Sequence, residues 1–449
     1  MQRNCLRKVV GTLCFLLLVL AAHAQKYTVT GGQGTPLLAT TVDDLQVYLV
    51  YGMENVEIRY TPVAGNHKWY KYKNKALGDG VEIPSFMEGA TTVVRNIEEG
   101  YGYYVMENDN IATAKYVWII DYSKYAFDIS SFHVDTEKSN CDGMYLATSG
   151  EVKDIKYSRP KGVPGTLERE FEVTYQTMDY EENSSMMVTK TVTETINDPF
   201  KDKIGPPFCD TDVTLSGDLF ARHFGVGKTI TSDVYQAVAV KATMKIDTLS
   251  YASDIPNMVV KGDSLSAPVE FNFTAIANIP VAAVFKWSIF QKNEGTENTK
   301  LLEQNGNREE INYTFNRNGT YIVSLEVSDR TLQCTDILPE VTINISDTYL
   351  EVPNAFSPGT TPGINDEFRV AYRSLNSFKC WIFNRWGAEI YHWTDPSQGW
   401  DGKKGGKYVA PGVYFYVIEA TGSDGKRIKK KGSINILRSK RIDDEIIEE

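Results

Sequence analysis

Strict alternation of apolar and polar positions dominates this chain. "REFEVTYQTMDY" (169–180) and "SSMMVTKTVTETI" (184–196) alternate on either side of a polar break, which predicts a two-stranded hairpin. Similar short runs recur every 8–12 residues between Gly, Asn, Asp and Pro turns, the spacing of β-sandwiches. "NHKWYKYKN" puts Trp69 in a mid-unit strand, "EEGYGYYVMEND" follows as a Gly-Tyr strand, and "KYVWIIDYS" closes the first unit near Ser123. Farther on, "APVEFNFTA", "VFKWSIF", "INYTFNRNGTYIVSLEVSD" and "PEVTINIS" read as successive strands. Long Ala/Leu/Glu/Lys helical repeats are absent.

These runs divide the chain into four all-β units. An immunoglobulin-like sandwich is expected over 25–124, a β-rich unit over 125–249, a third sandwich over 250–347 and a small antiparallel sandwich over 348–438. Arg3, Arg7 and Lys8 precede an apolar run from Val9 to Ala22, and Ala22-His23-Ala24 offers small residues for cleavage. Residues 1–24 therefore read as a signal peptide, because the run is short for a bilayer span. Residues 439–449 form an acidic tail. No later stretch is long and apolar enough for a transmembrane helix, so none is expected in the mature chain.

Composition supports packed β-structure: 42% of the 449 residues are hydrophobic, and 26 tyrosines stand beside five histidines. The formal charge of −11 becomes −14 once Arg3, Arg7 and Lys8 are removed, which argues against a nucleic-acid partner. One region runs the other way. Between Lys403 and Arg441 eleven Lys and Arg face only Glu419 and Asp424, as on an edge strand that lysines keep from pairing.

Four cysteines follow the leader: Cys141, Cys209, Cys334 and Cys380. Export permits disulfides, and Cys141–Cys209 is the expected pair because both fall in the second unit. Cys380 alternates with Phe378 and Ile382, the place of a buried free thiol.

Several motifs suggest chemistry and lack its remainder. "GDSLS" (262–266) resembles the nucleophile block of a hydrolase family, but no Asp-x-x-His follows to supply a base. "FGVGKT" (224–229) has Arg222 where a phosphate-binding loop needs its first glycine. His67, His133, His223 and His392 lie in four distant segments, and HExxH, GxSxG and Cys-His arrangements are missing. "DYEEN" and "NDPFKD" carry oxygen ligands of the kind calcium takes but no EF-hand spacing, so solvated turns are expected. Tyr101, Tyr103, Tyr104 and Tyr251 have the rings a glycan would stack on, with core and edge packing as the default. No catalytic residue, metal or cofactor is assigned, and a non-enzymatic protein is expected.

Two resemblances add to this. "YTFNRNGTYIVSLEVSD", preceded by the Trp287 strand, resembles the PKD-type immunoglobulin-like repeat of surface proteins; Gly319 supplies its turn, Tyr321 its tyrosine corner, and Val323, Leu325 and Val327 its core stripe. The last unit is more specific. "VPNAFSPG", "GINDEF", "FKCWIFNRWGAEIYHW", "GWDGKKGGKYVAPGVYFYVIEA" and "GKRIKKKGSINILR", in that order, are similar to the gliding-motility-associated C-terminal domain. That is the type B sorting domain of type IX secretion cargo in Bacteroidota. By position its motifs fall on Pro353, Asn354 and Phe356, on Asn384, Arg385, Trp386 and Gly387, on Trp400, Asp401 and Gly402, on Gly412 and Tyr414, and on Lys431 and Gly432. Two features depart from the family: Gly359-Thr360-Thr361-Pro362-Gly363 replaces an Asn-Gly-Asp-Gly loop, and "SKRIDDEIIEE" extends past Arg438.

The resemblance implies export to the periplasm, passage across the outer membrane, then surface retention or release. It also implies the type IX machinery, and an outer-membrane secretion or gliding-associated protein, as partners. An adhesin for glycan or host protein is the alternative function. Asn384 and Gly387 are expected to take positive φ in a tight turn, with Arg385 over an aromatic face such as that of Trp400.

Overall fold

The computed structural model describes residues 27–249, 257–259, 262–360 and 363–438. The expected leader (1–24), the acidic tail (439–449) and Tyr251 lie outside the described residues. The rest is an all-β chain of packed sheets, as the alternation predicts.

The first unit packs a four-stranded sheet on a six-stranded one. The smaller runs in the order Tyr27–Thr30, Glu57–Tyr60, Thr91–Val94, Phe86–Glu88; the larger runs Leu37–Val42, Leu45–Val50, Asn110–Asp121, Tyr101–Glu107, His67–Tyr72, Val81–Ile83. Within the larger sheet Asn110–Asp121 lies parallel to Leu45–Val50. Both faces of that sheet are buried. One presents Tyr48, Trp69, Val105 and Ile119 to the smaller sheet. The other presents Leu49, Tyr72, Tyr104 and Trp118 to Ile155, Tyr157, Leu167 and Phe220 of the second unit. Burial on both faces explains why "VYLV" and "YVWII" read as continuous apolar runs instead of alternating. It also gives the tyrosines the packing expected by default: Tyr103 and Tyr104 are core residues and Tyr101 is half-buried.

At this first junction a charged group is buried too. Asp218 is fully buried, pairs with Arg169, and accepts from the Tyr122 hydroxyl (2.5 Å) and the Ala221 N–H (2.9 Å). Arg169 also donates to the carbonyls of Lys153 and Tyr125, so its guanidinium is satisfied.

The second unit contains the predicted hairpin, paired in unbroken register from Phe171↔Ile196 to Glu181↔Met186. Its core gathers Phe132, Met144, Phe171, Val173, Val213 and Leu215. Ala242–Thr248, which the sequence division places at the end of this unit, pairs instead with Val269–Ala277 of the third, from Ala242↔Ala277 to Thr248↔Phe271. The composition break lies in the Ser/Pro-bearing stretch after that strand, whereas strand pairing, which composition does not report, assigns the strand to the sheet beyond it.

The expected Cys141–Cys209 bond is not formed. Cys141 is bonded to Cys334 across the junction of the second and third units, with Cα atoms 5.4 Å apart, and Cys209 is a half-buried free thiol. The physical reason is local. The two carboxylate oxygens of Asp329 accept the backbone N–H groups of Thr331, Gln333 and Cys334, folding a tight loop that delivers Cys334 to the Asn140–Gly143 turn. The same junction is pinned by fully buried Asn278, whose amide donates to the Phe208 and Ala239 carbonyls at 2.9 Å and accepts from the Lys241 N–H at 2.8 Å. Lys241 then reaches Asp179 at 2.6 Å. Cys380 is the buried thiol expected, and burial raises its pKa.

The third unit packs Trp287, Val323, Leu325 and Val327, all fully buried, between two sheets. Tyr321 makes the expected corner, its hydroxyl donating to the Arg317 carbonyl at 2.8 Å. The junction to the last unit is mostly polar, with Met258 packing on the core of that unit. The Ser374 N–H donates to the Ser266 hydroxyl (2.7 Å), and the Ser374 hydroxyl donates to the Ser346 carbonyl (2.7 Å) and accepts from the Ala267 N–H (3.2 Å). Residues 257–259 of the third unit also run beside Ala371–Arg373, with Val259 N–H to Tyr372 C=O at 2.9 Å and Tyr372 N–H to Asn257 C=O at 3.1 Å. Ser266, from the hydrolase-like motif, is thus part of a structural joint.

Candidate functional site

The last unit is built on a five-stranded sheet in the order Ala355–Phe356, Arg427–Ile436, Gly412–Gly422, Leu375–Phe383, Glu389–Trp393. All neighbours are antiparallel except the first pair. Its motif residues fall into three groups.

The first group is a buried aromatic cluster. Trp400 is fully buried, with ring centroids of Phe356 and Tyr414 at 5.6 and 5.7 Å and its indole N–H donating to the Lys403 carbonyl at 2.9 Å. The Asp401 side chain accepts the Lys403 N–H at 3.0 Å, closing the turn. Gly402 has φ of 77°, and a Cβ there would come within 2.8 Å of Pro358, so only glycine fits under the proline. The Tyr414 hydroxyl donates to the Ala410 carbonyl at 3.1 Å, a second tyrosine corner. Pro353 and Asn354 lead into this cluster; the Asn354 carbonyl accepts from the Asn435 backbone at 2.9 Å.

The second group is the Asn384–Gly387 turn. The Asn384 side-chain oxygen accepts from the N–H groups of Trp386 (3.1 Å) and Ala388 (2.9 Å), and its backbone exchanges bonds with Ala388 and Gly387. Gly387 takes the positive φ, at 85°, as expected. Asn384 does not: it is buried and works through its side chain, which caps the turn as a backbone carbonyl would. Arg385 stacks over Trp386, its neighbour, at 4.4 Å, and not over Trp400, whose ring is sealed in the core. Trp386 is 62% exposed.

The third group is the final strand. Along Gly412–Gly422 it is paired from Arg427 to Ile436, but its other edge meets a neighbour only at Asn435 and Ile436. Gly432 lies beneath the Tyr416 ring, while Lys431 faces outward opposite Val417. The structure therefore brings Phe356, Trp400, Gly402 and Tyr414 into one core cluster and leaves Arg385, Trp386 and Lys431 at the surface. In the replaced loop the Asp366 carboxylate accepts the Gly359 N–H (3.1 Å) and the Gly363 N–H (2.5 Å). Among the described residues, no cluster of His, Cys, Asp or Glu could hold a metal ion, and the acidic turns are occupied internally: Asp179 by Lys190 and Lys241, Asp198 and Asp202 by backbone N–H groups.

One surface escaped the motif reading. Cross-strand pairing aligns Phe383 with Phe415, Trp381 with Val417 and Lys431, Lys379 with Glu419 and Lys429, and Val413 with Asn435. All lie on the face opposite Cys380, Tyr414 and Ile418, and there Val413 and Phe415 are 49% and 45% exposed. The unbroken apolar run "VYFYVI" (413–418) carries the signal, since a strand with one wet face should alternate. Elsewhere, a cleft of about 400 Å³ opens where the first unit meets the second, lined by residues including Leu77, Ile111, Tyr116, Arg159, Lys161 and Val163.

Two family models match parts of the chain. Residues 350–436 match the CHU_C Type IX secretion signal domain, and residues 133–232 match the Fibronectin type III domain. The second match lies one unit earlier than the PKD-type resemblance. A crystal structure of chicken CNTN1 FN1-FN3 domains aligns at 10% identity and a TM-score of 0.22, covering 69% of this chain and 98% of that one. No curated protein matches the chain. The C-terminal match implies type IX secretion of an extracellular multidomain protein, at the cell surface or released, with contact to that machinery. No helix among the described residues is long and apolar enough to cross a membrane.

Proposed function

We propose that this is a non-enzymatic binding or scaffold protein of a Bacteroidota cell surface, routed by its last unit and partnered with an outer-membrane secretion or gliding-associated protein. The observation that carries this reading is the way the sorting unit is mounted. It is joined through the Ser266–Ser374–Ser346 bonds and residues 257–259 to three sandwiches that are themselves pinned end to end. Such a chain holds its N-terminal units at a set distance from the exported end, which suits presentation of a binding surface. Ser266 of the hydrolase-like motif is taken up in a joint, His223 contacts the Thr35 carbonyl and His392 contacts Glu389. Deleting residues 349–449 should strand the protein in the periplasm. Normal surface delivery of that truncation refutes the sorting role. A pull-down from outer membranes with the intact chain should recover a membrane partner.

A second reading, an adhesin for glycan or host protein, is favoured by the cleft between the first two units, which sets apolar Leu77, Ile111 and Val163 beside Arg159 and Lys161. An Ile111→Asp variant that abolishes glycan-array or host-cell binding without altering surface delivery would support it. Unchanged binding would remove the cleft from consideration.

A further inference from the structure

The outward face of the C-terminal sheet is organised along its length. At one end lie Val413, Phe415 and Phe383; Trp381 and Val417 come next; at the far end Lys379, Arg427 and Lys429 border a cleft of about 350 Å³. Four cations (Lys379, Arg427, Lys429, Lys431) share this face with two carboxylates: Glu419, which pairs with Lys429 at 2.8 Å, and Glu389, which lies opposite Phe383 at the apolar end beside His392. Folding does not require apolar residues here. An antiparallel sheet with one solvated face is polar on that face, and an aromatic strip rimmed by charge marks a contact surface. The cationic rim selects an acidic occupant that also carries apolar side chains.

The chain contains such a segment close by. Residues 439–449, outside the described residues, read "SKRIDDEIIEE": five carboxylates interleaved with Ile442, Ile446 and Ile447. They follow Arg438, which the structure holds over the Tyr408 ring at 4.2 Å, while Leu437 donates its N–H to the Phe356 carbonyl. That exit lies at the Val413 end of the strip, since Val413 pairs with Asn435. From Asn435 back to Arg427 the strand covers about 27 Å, and eleven residues can extend to about 36 Å, so the segment reaches the cationic cleft.

We propose that residues 439–449 dock on this outward face of their own sheet, setting isoleucines on the Phe415–Trp381 strip and carboxylates against Lys379, Arg427, Lys429 and Lys431. The contact itself stands whether or not the unit is read by an export machine.

Two measurements test this. Zero-length carbodiimide cross-linking of the full chain should join Asp443–Glu449 to Lys379, Lys429 or Lys431 within the monomer band. Links elsewhere, or links found only in a dimer band, overturn it, the latter in favour of a second copy as occupant. In parallel, a synthetic peptide of residues 439–449 should bind a chain ending at Arg438, quench its tryptophan emission, and slow hydrogen exchange over 413–417. Lys379→Glu with Lys429→Glu, surface changes that leave the core intact, should weaken the peptide at least tenfold. No binding by the correctly folded truncated chain, or equal binding by the charge-reversed chain, rejects the proposal.

Discussion

The first and last junctions of this molecule are joined by opposite means. Between the first and second units the core is continuous: Tyr72, Tyr104 and Trp118 pack on Ile155, Tyr157 and Phe220, and the single charge pair there is fully enclosed. Between the third unit and the sorting unit an apolar side chain, Met258, packs on the sorting core, and most contacts are directional, made by serine hydroxyls and backbone groups around Ser374. Apolar burial is non-directional and grows with area, so the first junction behaves as part of a larger domain core. Hydrogen bonds each contribute little net, yet fix an angle. The sorting unit is therefore oriented by the third unit and can retain a core of its own.

That contrast yields predictions in descending order of effect. Asp218→Asn should be the most damaging, because it leaves Arg169 charged and buried; a loss of about 3–5 kcal/mol is expected from denaturant unfolding of the first two units together. Separate melting of those two units in the variant would show that the core is not shared. Paired Cys141→Ser and Cys334→Ser changes should cost about 3 kcal/mol and free the second unit from the third, read as a broader thermal transition and faster proteolysis near residue 240. A transition indistinguishable from the parent would mean Asn278 and Lys241 hold the joint alone. Ser374→Ala removes a donor and an acceptor at a fully buried site, and about 2 kcal/mol should disappear at the last junction only, seen as faster hydrogen exchange at Ala267. Loss at the first junction as well would contradict the contrast.

The smallest effect concerns pH. Hydrogen bonds from Lys190 and then Lys241 hold the Asp179 carboxyl below the usual aspartate range. Because the folded value is the lower one, the stabilisation is complete above about pH 4 and is lost as pH falls through the depressed value. The pair is partly exposed, so under about 1 kcal/mol is at stake. Acidification below about pH 4 should loosen the joint at Lys241, and Asp179→Asn should flatten that dependence.

Legibility followed the range of the interaction. The hairpin at 171–196, the Tyr321 corner and the Gly387 turn are made by residues close in sequence or locked by a two-residue period, and all were readable. The strip on the outward face was also written in "VYFYVI", but a continuous apolar run has several explanations, and burial on both faces is the commoner. For the six-stranded sheet of the first unit that explanation holds; for the sorting sheet it does not.

By itself the sequence determined the all-β class, the alternating faces and the turn chemistry of the last unit, since these depend on backbone propensity and neighbours a few residues apart. Tertiary structure alone decided that Cys141 meets Cys334 across 193 residues and that Ala242–Thr248 joins the third sheet. It likewise decided that Tyr103 and Tyr104 are core while Phe415 is not. Those outcomes depend on which surfaces come to face each other, and local pattern carries no record of the partner.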